Sequence, residues 1–174
     1  MKIFLKSIIV VVILAVIILG YVREVPYFSN TFGIWYLFFR SLFIGIFVGG
    51  IVGWILSKKT TDKSDILPIF AFSIVAGMAI FPLIGISSNH FFAKNDPLSI
   101  KVLFQKEEPL RTSRFGVAKN TTVAVDAFYL YFAKDGEMNR IRSKTQSFRN
   151  LEAGTEIELP TKQGFWGFSF VDIL

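Results

Sequence analysis

A chain of 174 residues that is 52% hydrophobic, with a mean hydropathy of +0.52, has more apolar content than a soluble domain of this length usually carries. It contains no cysteine and one histidine, which excludes disulfides, thiolate chemistry, Cys-ligated zinc and a multi-His metal site built within one chain. The net charge of +6 is spread as seven basic against three acidic residues over 1–86 and twelve against ten over 87–174, with no run of five like charges, so no nucleic-acid surface is indicated.

Lys2 and Lys6 precede an apolar run from Ile8 to Leu19, within a first apolar span of about residues 3–21. The basic start and short apolar core resemble a signal peptide, but no A-x-A-like site follows Leu19, and the run is read as a retained transmembrane helix. It has no stripe of small residues and is expected at the periphery of a bundle. Val22 to Thr31, with Arg23, Glu24, Pro26, Ser29 and Asn30, has the polar, helix-breaking composition of a surface loop.

The second span, 33–56, carries the most informative pattern in the chain. Ser41, Gly45, Gly49, Gly53 and Ser57 recur at every fourth position, drawing on a helix one strip with almost no side chain, along which a second helix can approach closely. Trp35 and Trp54 lie 19 residues apart, roughly 28 Å on a helix and close to the thickness of a hydrocarbon layer. Arg40 is the charge embedded in this span. It either faces a cavity or an anionic partner, or snorkels to the headgroups from a short distance inside the Trp35 belt.

The polar loop 57–65 offers Ser64 or Asp65 as an N-cap for a third span, 66–86, in which Pro68 falls in the first turn and Pro82 is expected to kink the far end. Ser73, Gly77 and Gly85 repeat the four-residue spacing, interrupted by Phe81, and supply a flat face for the strip on the preceding helix. An intrachain helix hairpin is therefore favoured over self-association. Lys2, Lys6, Lys58, Lys59 and Lys63 gather on one side against Arg23 and Lys94 on the other, which places the N-terminus in the cytoplasm and the C-terminal part outside.

These spans make 1–88 a three-helix transmembrane anchor, followed by a linker at 89–98 and a β-rich extracytoplasmic domain at 99–174. Ser99 to Gln105, Thr122 to Phe132, Asn139 to Phe148, Thr155 to Leu159 and Phe165 to Ile173 read as five strands, with Lys134-Asp135-Gly136-Glu137 as the hairpin turn between the second and third. The fold class expected is thus an α+β membrane protein: three transmembrane helices, then a small antiparallel β-sandwich or barrel. Arg140, Arg142 and Lys144 alternate and share one face, either contacts for an anionic partner or a solvated face that discourages edge pairing. Phe165, Trp166, Phe168 and Phe170 form either a doubly covered strand or a patch for membrane or partner. Asn120-Thr121-Thr122 matches a glycosylation sequon, a weak signal at this chain length.

No residue set for chemistry emerges. His90 has Ser87, Ser88 and Asn89 beside it but no G-x-S-x-G or S-x-x-K pattern, and neither phosphate-cradling nor dinucleotide fingerprints occur. No enzyme, cofactor, metal or nucleic-acid partner is expected. The function expected is a non-enzymatic accessory or assembly subunit of a cell-envelope complex in a bacterial inner membrane, with the bilayer and other membrane or envelope proteins as partners. The alternatives are a homo-oligomeric channel or transport element with Arg40 facing its lumen, and a membrane immunity or regulatory protein.

Overall fold

The computed structural model describes residues 2–94, 97–111 and 125–171. Three long helices come first, α1 (Lys2–Asn30), α2 (Ile34–Ser57) and α3 (Ile66–Phe91). Five strands follow, β1 (Pro97–Leu110), β2 (Ala127–Lys134), β3 (Glu137–Ser143), β4 (Glu156–Gln163) and β5 (Ser169–Val171). The helices are long and apolar enough to cross a membrane over 11–30, 34–57 and 63–91. The chain divides into two compact units: residues 1–25, 33–93 and 164–168 form the first, and 26–32, 94–163 and 169–174 the second.

In the first unit α2 and α3 run antiparallel with their small residues face to face. A Cβ on Gly45 would strike the Gly77 carbonyl oxygen, and one on Gly77 would strike that of Gly45. Gly49 faces the backbone of Ser73 and Ile74, Gly53 that of Phe70, and Gly85 packs against the Ser41 side chain. The hydroxyls of Ser41 and Ser73 donate within their own helices to the carbonyls of Leu37 and Ile69, both at 2.8 Å, so polar atoms can lie in the seam without an unmet bond. Ser57 bonds the Trp54 carbonyl at the helix end. On the outer side of α2, Tyr36, Phe43, Phe47 and Trp54 are exposed at helical spacing. α1 meets α3 where Leu83 covers Gly20, where the Tyr21 hydroxyl donates to the Ala79 carbonyl at 2.8 Å, and where Glu24 approaches His90.

Two local expectations are corrected. The stretch 22–31 is not a loop, since α1 continues through Pro26 to Asn30. The polar residues that read as helix breakers instead satisfy the helix's last carbonyls: the hydroxyls of Ser29 and Thr31 donate to the carbonyls of Pro26 and Tyr27 at 2.8 and 2.6 Å. Before α3, Asp62 is the capping side chain, accepting from the Ser64 N–H and hydroxyl at 2.9 and 2.8 Å, which holds its carboxyl below the usual range. Asp65, the residue before α3, makes no side-chain cap.

The second unit is one curled antiparallel sheet, ordered β3-β2-β1-β4-β5, a half-barrel rather than a closed barrel or two packed sheets. β1 is longer than its apolar run because it serves two partners. Residues 97–103 pair with β4 and 103–110 with β2, and a register shift between Phe104 and Lys106 bends the strand where the partners change. Alternate residues of β1, β2 and β4 point inward at Val102 and Phe104, Leu130 and Phe132, and Ile157 and Leu159, and these form the core with Ile141 and Val171. Asp135 and Gly136 turn β2 into β3 with φ of 52° and 82°, the pair of left-handed residues that a two-residue hairpin requires. Gly136→Ala is expected to lower the unit's stability by about 1 kcal/mol in denaturant titration.

Five strands leave a seam between the edges of β3 and β5, and the end of α1 fills it. The buried Asn30 amide donates to the Arg142 carbonyl at 2.9 Å and accepts the Arg142 N–H at 2.8 Å, imitating a neighbouring strand. Thr31 forms a β-bridge with Phe170, and the Phe32 N–H donates to the Ser169 carbonyl at 2.9 Å. Residues 165–168, expected as strand, precede β5 as a turn with Gly167 at φ 85°. The sequon at Asn120 lies outside the described residues, as does the start of the strand expected from Thr122.

Candidate functional site

Polar chemistry in the first unit gathers at one end of its helices. Packing within this unit brings Arg23 and Glu24 of α1 to the C-terminal end of α3, which antiparallel pairing sets beside the N-terminal end of α2. Asn89, fully buried on α3, organises the turn 164–168: its amide donates to the Phe168 carbonyl at 3.0 Å and accepts the Trp166 N–H at 3.1 Å. Its own carbonyl accepts the Phe165 N–H at 2.9 Å. A Cβ on Gly164 would collide with the Asn89 amide, so the glycine is required for this approach. The turn holds Phe165 and Trp166 outward, with the Trp166 indole N–H on the Ser88 hydroxyl at 2.8 Å.

Beside this turn a cleft of about 470 Å³ opens between Arg23 and Glu24 on α1 and Ser87, His90, Phe91 and Phe92 at the end of α3. Glu24 is 6% exposed. His90 Nδ1 lies 3.2 Å from Glu24 Oε2 and 3.3 Å from the Ile86 carbonyl. Both neighbours are acceptors for an Nδ1–H. Among the described residues Glu24 Oε2 meets no hydrogen-bond donor in good geometry, with the His90 ring nitrogen its near neighbour. Burying a polar atom in this state costs about 1–3 kcal/mol, and more when it is charged.

In the second unit the outer face of β1, β2 and β3 carries a row of cations and tyrosines. Lys106 Nζ lies 4.8 Å from the Tyr131 ring centre, Tyr131 and Tyr129 stand edge to face at 6.5 Å, and the Arg140 guanidinium lies 4.4 Å from the Tyr129 ring. Lys106 also binds Glu108 at 2.7 Å, which holds the Glu108 carboxyl below its usual value and raises the lysine. This contact is present at neutral pH and is lost as pH falls through the carboxyl's range.

The residues singled out from the sequence distribute between these places. Ser41, Gly45, Gly49, Gly53, Ser73, Gly77 and Gly85 meet in the α2–α3 seam, while Ser57 lies beyond it. Arg40 is exposed, 6.0 Å from the Trp166 ring within the first unit. Arg140 joins the tyrosine row, Arg142 uses its backbone to hold Asn30, and Lys144 is an exposed residue past the end of β3. The four aromatics do not form one patch: Phe165 and Trp166 are exposed in the turn, Phe168 is half-buried against Gly33, and Phe170 is buried in the second unit, edge to face with Tyr27. The sequence reading missed Glu24, Asn30 and Asn89.

These features define a class: an apolar three-helix unit joined to a half-barrel whose outer face bears cations and aromatic rings. Comparison of the chain with protein-family models, with curated proteins and with solved structures finds no significant match.

Proposed function

We propose that this chain is a non-enzymatic integral membrane protein, an accessory subunit that anchors itself by three helices and presents its half-barrel to other envelope proteins. The observation that carries the reading is the use of the α2 strip: its glycines are taken up by α3 of the same chain, so the anchor is complete without a second copy. The row of exposed Lys106 and Arg140 with half-buried Tyr131 and Tyr129 between them has the composition of a contact face for an acidic partner, with rigid aromatic area and, in Arg140, a cation that makes no ion pair among the described residues. The lysines flanking the spans support an N-terminus in the cytoplasm and a half-barrel outside, and the membrane proposed is the inner membrane of a bacterium. A homo-oligomeric channel would need α2 to face an axis, whereas its free side is lined by Tyr36, Phe43, Phe47 and Trp54, a surface suited to lipid. A regulatory or immunity role falls within the same class of partner-binding membrane protein.

A photo-crosslinking side chain at Met138, exposed on the same face of β3 as Arg140, tests the reading in intact membranes. The expected result is an adduct with an unlike protein that Arg140→Glu abolishes. Adducts with this chain's own copies, or none, would contradict it.

A further inference from the structure

We infer that the cleft between α1 and α3 binds a phospholipid headgroup bearing a primary amine, with the chemistry of phosphoethanolamine. The inference rests on the reading above that the helices span a bilayer. The apolar run Ile8–Leu19 ends before Glu24, and His90 stands one residue before the end of α3, so the cleft lies toward one end of both helices, at headgroup depth.

The chemistry of the lining selects the ligand. Glu24 is a buried carboxylate whose Oε2 has no aligned donor, although His90 is within 3.2 Å. Such a group is retained where something else supplies the donor. A primary ammonium brings both the opposite charge and N–H groups, making a charge-assisted hydrogen bond. A quaternary ammonium brings charge without N–H, and a glycerol headgroup brings hydroxyls without positive charge.

Next to it, Arg23 is exposed at the lip of the same cleft and makes no ion pair among the described residues, leaving its guanidinium for a phosphate. Adjacent positions of opposite sign match a zwitterion whose phosphate and amine are two carbons apart. Exposed Phe91 and Phe92, with Ile84 and Leu83 deeper along α3, give the acyl chains an apolar path away from the charges. Water alone would satisfy Glu24 but would not call for Arg23 or this apolar continuation.

The test uses the full chain in mild detergent, titrated with phosphatidylethanolamine, phosphatidylcholine and phosphatidylglycerol of identical acyl chains and followed by native mass spectrometry. Phosphatidylethanolamine is expected to bind about tenfold more tightly than the other two, the factor one charge-assisted hydrogen bond supplies. Glu24→Gln, nearly the same shape, should erase the preference. Arg23→Ala, at an exposed position that leaves folding intact, should weaken the ethanolamine and choline lipids alike.

Equal binding of the ethanolamine and choline lipids, or a preference that survives Glu24→Gln, would overturn the proposal. Free phosphoethanolamine should compete only weakly, and binding as tight as that of the lipid would overturn the lipid assignment in favour of a soluble ligand. A flotation assay separates this proposal from the reading beneath it. Failure to partition into vesicles would remove the membrane reading, whereas insertion without headgroup preference removes this inference alone.

Discussion

Gly77→Leu is expected to unfold the first unit, because the contact it breaks is between two backbones. The Cβ position at residue 77 already overlaps the Gly45 carbonyl, and the Gly49 Cα is 3.3 Å away, so no side-chain rotation can make room. The two helices must separate along the whole seam, losing the van der Waals contacts that hold apolar helices together where no hydrophobic drive acts between them. A cost of about 3 kcal/mol or more is expected, at the upper end for overpacking. Gly50→Leu is the control: nothing lies within 4 Å of its Cβ, and the change should stay within about 0.5 kcal/mol. Unfolding of both variants with sodium dodecyl sulfate, followed by helical circular dichroism, checks the pair. Equal tolerance would show that the seam is not close-packed.

The second large effect is expected at Asn30. Asn30→Ala removes both the donor and the acceptor that meet Arg142, leaving an N–H and a carbonyl of β3 unpaired at the seam of the half-barrel. At about 1–3 kcal/mol per group left unmet, the second unit should lose about 2–6 kcal/mol. Asn30→Asp keeps the acceptor but sets a carboxylate oxygen against the Arg142 carbonyl, so it should recover little of the loss. Hydrogen exchange reports this directly. The Arg142 amide should lose its protection in Asn30→Ala, while the Leu130 amide in β2 retains more. Unchanged protection at Arg142 would mean that the amide does not close the seam.

The helices, the strip and the Asp135-Gly136 turn were legible because each is a local pattern with one physical solution. Long apolar runs have to be helical if they are to satisfy their own backbone in lipid, small residues four apart share one helix face, and consecutive left-handed residues suit a hairpin. Asn30 and Asn89 were not legible, because each bonds main-chain atoms more than 70 residues away, and a main chain has no sequence signature. Their polarity at helix ends matched a solvated loop equally well. Glu24 was hidden by the same ambiguity, since its burial depends on the packing of α1 against α3 rather than on its neighbours in sequence. The half-barrel was missed for a different reason. Strand alternation predicts which residues face inward, but closure depends on how many strands there are and on what seals the last edge. Here that seal is the end of a helix.

The central claim is that one copy of this chain anchors itself and meets unlike partners. Extraction of membrane patches into polymer nanodiscs without detergent, followed by mass determination of the intact complex, tests it most directly. The account predicts a single copy of this chain accompanied by unlike proteins. A ring of identical copies would contradict it.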